Sequence, residues 1–245
     1  MKVLWQSFLD PRDHRPYVEA LRTLLAETAP DTEFEVAGIR PPDRHLCALT
    51  EVRCGIAALR NALWAEREGY DAVVIGHFQE PFLHEIRSSV GIPVVGFGEA
   101  SVDAAEGAIG LVTIDEVFVP WHEEQVRRYG IADRVVGVRA LGIAPDDFMS
   151  AMGGGAPRER LLERVEEAVA PLIAAGAETI VSAGALACVA LREPAVAGVP
   201  YVDGVAAAAR AALERRPPEA FAPPPRAALD EFLSATGGAL SEPVR

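Results

Sequence analysis

His77 is the side chain best suited to chemistry at neutral pH. It follows AVVIG (72–76), a continuous, largely β-branched run that reads as a strand buried on both faces. An imidazole titrates near neutrality, so it serves both as acid and as base. A carboxylate beside it would hold its tautomer and raise its basicity. Two candidates are Glu80 and Glu99, the latter in GFGEAS (96–101). Capping of a first helical turn is the alternative for both, and is favoured for Glu99. Backbone N–H groups at Phe78–Gln79 and Ala185–Leu186 are expected at helix N-termini, where they would stabilise an oxyanion. The Gln79 amide would stand beside His77. His122, in VPWHEEQ (119–125), either reaches the ligand or caps its own helix. These types together describe acid/base proton transfer on a small molecule.

Other chemistries find less support. Glu80 and His84 have the i, i+4 spacing of a metal pair, but no HExxH and no third ligand accompany them. Gly153, Gly154 and Gly155 lack the ending of a phosphate loop, and GFGEAS lacks the third glycine of a dinucleotide fingerprint. The expectation is no metal and no cofactor.

The elements that must position these groups alternate along the chain. Strands are expected at 2–6, 34–38, 72–76, 93–97, 109–113, 135–139, 179–183 and 200–204. Helices are expected at about 15–28, 51–68, 82–89, from 99, at 116–129, 157–175, after 183, up to about 215, and at 226–235. This alternation predicts an α/β fold with parallel sheets. RPPEAFAPPP (216–225) cannot be regular structure and reads as a linker.

Composition narrows the setting. Of 245 residues 50% are apolar, which excludes disorder, and a net charge of −13 argues against a nucleic-acid partner. No run approaches the ~18 apolar residues of a membrane span, so no membrane partner is expected. MKVLWQSFLDPRDHR reads as a strand and loop rather than a leader. Cys47, Cys54 and Cys188 are odd in number and form no C-x-x-C, which predicts a soluble cytoplasmic protein with reduced thiols.

The chain also repeats itself. GYDAVVIGH begins at Gly69 and GAETIVSAG at Gly176; Gly91 and Pro93 recur as Gly198 and Pro200. The offset is 107 residues in each case, and it carries His77 onto Gly184. Two related halves would set matched strand ends across one cleft, where α/β sheets bind ligands. One of those ends has an imidazole and the other no side chain.

The segments MKVLWQSFLD, EGYDAVVIGHFQEP (68–81), IPVVGFGEAS (92–101), IGLVTIDEVFVPWHEEQVRRYGI (109–131), GAETIVSAGALA (176–187) and VPYVDGVAAAA (199–209) resemble the aspartate/glutamate racemase superfamily, most closely its hydantoin racemase branch. The resemblance implies two pseudo-symmetric Rossmann-like domains with parallel sheets and the active site in the cleft between them. We place the first at 1–98 plus about 204–215, the second at 99–203, and a Pro-rich tail with a short terminal helix at 216–245. It further implies chemistry without cofactor or metal, a small carboxylate or imide substrate, and a homo-oligomer. In the racemases two cysteines, one per half, deprotonate and reprotonate a carbon beside a carbonyl. Here His77 and Gly184 stand at those positions. The resemblance puts Gln6 and Ser7 at a ligand-touching turn, gives Glu80 the acidic slot after the first catalytic position, and gives Thr113 a role in binding substrate carboxylate. Ser182 lies near a matching strand end, and Cys188 lies one helical turn beyond Gly184 as the candidate second base.

Three functions follow as expectations. The first is an isomerase- or lyase-type enzyme with His77, Cys188 and Glu80 as catalytic groups, and with Gln6, Ser7, Phe78, Gln79, Thr113, His122, Ser182, Gly184 and Ala185 around the substrate. The second is a non-catalytic metabolite-binding descendant. The third is a His-dependent hydrolase or cyclase of a specialised pathway.

Overall fold

The computed structural model describes residues 1–42, 45, 47–214 and 223–245. Most of the 216–225 linker therefore lies outside the described residues. By contacts the chain forms two compact units. Unit 1 comprises Met1–Arg15, Leu25–Gly96 and Ala209–Arg245, and unit 2 comprises Pro16–Leu24 and Phe97–Ala208.

Unit 1 is built on four parallel strands: β1 (Lys2–Gln6), β2 (Glu33–Ala37), β3 (Ala72–Ile75) and β4 (Val94–Gly96), in the order β2-β1-β3-β4. Helix α1 (Arg15–Thr28), whose Pro16–Leu24 belong to unit 2, begins with proline in its first turn, where the missing N–H is not needed. Helix α2 (Ala48–Arg67) starts with a reciprocal cap: Cys47 N–H donates to Thr50 Oγ1 at 3.2 Å. Its stripe Cys54, Ala58, Ala62 and Ala65 is buried at helical spacing, and these small side chains let the helix lie close on Leu4, Val73 and Ile75. Helix α3 (Leu83–Ser89) adds Leu83 and Ile86 to the same core.

Unit 2 repeats the plan. It holds α4 (Phe97–Asp103), β5 (Ile109–Thr113), α5 (Val119–Arg128), β6 (Val135–Ala140), α6 (Pro145–Ala151), α7 (Ala156–Ala174), β7 (Thr179–Ser182), α8 (Ala185–Leu191), β8 (Ala195–Val196), β9 (Val199–Val202) and the first half of α9 (Gly204–Leu213), which ends in unit 1. The sheet order is β6-β5-β7-β9-β8. Without β8 this is the order of unit 1, and two strand pairs keep the 107-residue offset: Lys2 maps on Ile109, and Ala72 on Thr179. Ladder position supports the duplication more firmly than the glycine and proline landmarks do. The core gathers Val112, Phe148, Leu161, Val165, Val169, Ile180 and Leu191.

Two elements depart from the expectation. Helix α6 was not anticipated, and β8 pairs antiparallel with β9, so the second sheet is parallel except at this edge. The C-terminal segment is also more integrated than a tail. Helix α10 (Arg226–Ala235) packs Leu229, Phe232 and Leu233 on the unit 1 core. Arg60 of α2 donates to Thr236 Oγ1 and to the carbonyls of Gly238 and Ala239. Gly38, just past edge strand β2, pairs with Val244. That pairing occupies backbone groups beside an edge that would otherwise be open.

Candidate active site

Parallel strands send all their carboxyl ends to one edge of a sheet, and the loops leaving that edge carry the functional groups. In unit 1 β1 and β3 are adjacent, with Gln6 opposite Ile75. Ser7 and the Gly76–His77 pair therefore leave neighbouring strand ends. The loops after β1 and β2 are stitched together: Ser7 N–H donates to Ala37 O at 2.7 Å, and Ile39 N–H to Leu9 O at 3.1 Å. Buried Asp10 adds a second tie, accepting from Arg12 at 3.1 Å and from Arg40. The hydrogen bond from Arg12 holds the Asp10 carboxyl far below the usual carboxylate range.

His77 lies in a tight turn, 77–82, in which Glu80 (φ 52°) and Phe82 (φ 62°) adopt the left-handed region without being glycine. Such conformations persist only where the surroundings impose them, and they gather at functional sites. Phe8 meets the imidazole edge-on, with ring centroids 4.7 Å apart. Gln79 N–H donates to Nδ1 at 3.3 Å, and Nε2 lies 3.8 Å from Oε1 of Glu51. Glu51 belongs to the first turn of α2. A carboxylate that sequence reading did not single out, Glu51, thus faces the imidazole. Glu80 is buried and its carboxylate lies against Gly96, where a Cβ would come within 2.2 Å of Oε1. Glu99 sits in the first turn of α4, the capping place anticipated for it.

Several expected contacts are already used internally. The Gln6 amide donates to Ser7 O at 2.6 Å, and its oxygen accepts from Asn61 at 2.7 Å. The Gln79 N–H, expected as an oxyanion donor, serves His77 instead; it lies in the turn, since α3 begins only at Leu83. The Phe78 ring is buried. Ser7 differs. Its Oγ is buried and has no hydrogen-bond partner among the described residues. An orphaned hydroxyl of this kind calls for an explanation, and a ligand group is one.

In unit 2 Thr113 ends β5 and His122 rises from α5. His122 Nε2 is 3.2 Å from Thr113 Oγ1, Nδ1 is 3.2 Å from Gln125 Oε1, and Gln125 donates to Tyr129 Oη at 2.6 Å. Burial pushes the imidazole down to about 4, against a weaker opposing pull from Gln125, so His122 is neutral at pH 7. Ser182 is buried at the end of β7, with Oγ 3.4 Å from Gly184 O. Gly184 has φ 153°, and a Cβ there would meet nothing within 4 Å. Ala185 opens α8 and is buried.

Cys188 does not fit its expected role. It is buried on α8, with Sγ 3.9 Å from Val202 O, and burial, aided by Asp203, pushes its thiol up to about 12. At pH 7 such a thiol is neutral, and a base must be ionised to act. The site signals that sequence reading missed are Glu51, Asn61 and Gln125. Among the described residues no cluster of three or more His, Cys, Asp or Glu could hold a metal, and no helix is long and apolar enough to cross a membrane.

The model of the Asp/Glu/hydantoin racemase family matches residues 16–212. A hydantoin racemase of Pseudomonas sp. (strain NS671) is 33% identical over 150 residues, covering 58% of this chain and 57% of its own. The chain thus spans about three fifths of the length of the curated relatives it matches. Among solved structures, an allantoin racemase from Klebsiella pneumoniae superposes with a TM-score of 0.70 at 22% identity, covering 98% of this chain and 90% of that one. Another, from Pseudomonas fluorescens, gives 0.74 at 21% identity, covering 91% and 97%.

Proposed function

Because the chain belongs to the Asp/Glu/hydantoin racemase family, we propose that it is a cofactor-independent enzyme of isomerase or lyase type. It moves a proton at a carbon next to a carboxylate or imide carbonyl of a small metabolite. The observation that carries this reading is His77: an imidazole in a strained turn beyond β3, faced by a carboxylate, at the position where the resemblance expects a cysteine. The orphaned Ser7 hydroxyl at the neighbouring strand end supports a ligand there. Thr113, Ser182, Gly184 and Ala185 are proposed as further substrate-side positions.

One-sided proton transfer is favoured over racemisation by two bases. The unit 2 counterpart of His77 is Gly184, which has no acid or base to offer, and the Cys188 thiol is held neutral by burial. Tautomerisation, decarboxylation with protonation, elimination and ring opening all need only one such group. The relatives' names make hydantoins and allantoin the first substrates to try.

The test is solvent exchange. Hydantoins, allantoin, amino acids and malonates are incubated in D₂O with the wild type and with His77→Ala, and followed by NMR. Deuterium entering the α-carbon only with the wild type supports the proposal, with the variant slower by roughly 10²–10⁴-fold. Exchange that survives in His77→Ala overturns it. Ligand binding without exchange in either protein points to a metabolite-binding descendant.

A further inference from the structure

We propose that Glu51 is the positioning residue of His77, fixing the neutral imidazole with its proton on Nε2. The inference rests on the reading of His77 as the acid/base group. The two ring nitrogens face opposite demands. Nδ1 points at the N–H of Gln79, which is a donor, so Nδ1 must be the bare nitrogen. The proton of the neutral ring then lies on Nε2, which faces Oε1 of Glu51 at 3.8 Å. That gap is longer than a direct hydrogen bond yet within the range where a carboxylate stabilises a proton on its neighbour.

The placement of Glu51 is built into the helix. The reciprocal cap at Cys47 and Thr50 fixes the start of α2, and a carboxylate in the first turn is favoured by the helix dipole. Gly55, one turn on, lets the helix approach the turn that carries His77: a Cβ there would come within 2.6 Å of the Phe82 ring. Glu80 lies against Gly96, and Asp10 holds Arg12 and Arg40. The neighbour across the ring, Phe8, carries no charge.

The test reads the imidazole directly and needs no turnover. ¹⁵N-histidine spectra of the full chain are recorded across pH, with the His77 signals assigned by their loss in His77→Gln. The expected wild-type result is a neutral ring protonated on Nε2 and bare on Nδ1. In Glu51→Gln the ring titration moves to lower pH, because the charge that favours the imidazolium is gone; Glu51→Asp, with the charge farther away, falls between. A neutral ring protonated on Nδ1 overturns the proposal, as does an unmoved titration in a Glu51→Gln protein with unchanged circular dichroism. Neither result depends on the solvent-exchange experiment, so failure of the catalytic reading is recognised separately.

Discussion

Oγ1 of Thr113, at the end of β5, lies 3.2 Å from Nε2 of His122 on the first turns of α5. Phe118 stacks on the same imidazole with ring centroids 5.9 Å apart, and Gln125 holds its other nitrogen. The histidine is therefore a polar strut inside unit 2, neutral and held at both nitrogens, rather than a group open to solvent.

This strut makes stability depend on pH in a defined window. The pKa of His122 falls from 6.5 in the unfolded chain to about 4 in the folded one, mainly through burial. Between those values the unfolded chain binds the extra proton and the folded one does not. Stability is full above about 6.5 and declines as the pH falls toward 4, by about 3 kcal/mol in all. Urea denaturation at pH 7.5 and 4.5 checks this. His122→Phe, which cannot titrate, is expected to be less stable at pH 7.5 and to show a shallower decline. Asp10, whose folded pKa is lowered, adds its own loss only as the pH falls below 3.8.

Ser7→Ala is expected to reverse the usual sign of a buried substitution. Its Oγ is desolvated without a partner among the described residues, so removing it relieves about 1 kcal/mol. The melting temperature should stay level or rise while ligand affinity falls about tenfold, as for one lost hydrogen bond. Calorimetry of the free protein and titration with a ligand found by solvent exchange supply the two readings. A destabilised variant with unchanged affinity would mean that the hydroxyl serves the fold.

Most strands were legible because their residues announce themselves: AVVI and TIVS are continuous, β-branched and bounded by turn residues, as buried parallel strands must be. Helix α6 was not legible, since seven residues opening on Pro145 give a periodicity too short to read. Of the site, His77 could be found from strand ends and repeat, because both are local patterns. Glu51 could not. It is remote in sequence and reads as an ordinary first-turn acid, and only the packing of α2 on the turn at Phe82 brings it to the imidazole. Cys188 misled because α8 buries every residue but Leu186, leaving no polar face in the sequence to show which way the thiol turns.

Arg60→Ala tests how the C-terminal segment is held. The guanidinium links α2 to Thr236, Gly238 and Ala239, and hydrogen bonds from a charged donor contribute about 1.5–3 kcal/mol in favourable cases. Part of this is exposed, so a loss nearer the lower end is expected. Hydrogen exchange should accelerate over 226–245 before it does in the strands of unit 1. Acceleration spread evenly over the whole unit would show that the segment and the sheet unfold together.

Gly184→Cys would return a thiol to the position where the resemblance expects one, and two features of the backbone decide its fate. Space is available, because a Cβ there meets nothing within 4 Å. Conformation is not, because φ 153° is a region that L side chains rarely adopt. The expected result is a folded protein destabilised by about 1–3 kcal/mol, measured by denaturant titration. The new thiol lacks the full burial that holds Cys188 neutral, so it should react with iodoacetamide in the native protein while Cys188 does so only after unfolding. If the variant is as stable as the wild type, the loop has relaxed toward negative φ, and the glycine is then no barrier to recovering a second acid/base group. If it is destabilised as expected, recovery of two-base chemistry requires a change in the backbone of the turn between β7 and α8 as well as a cysteine.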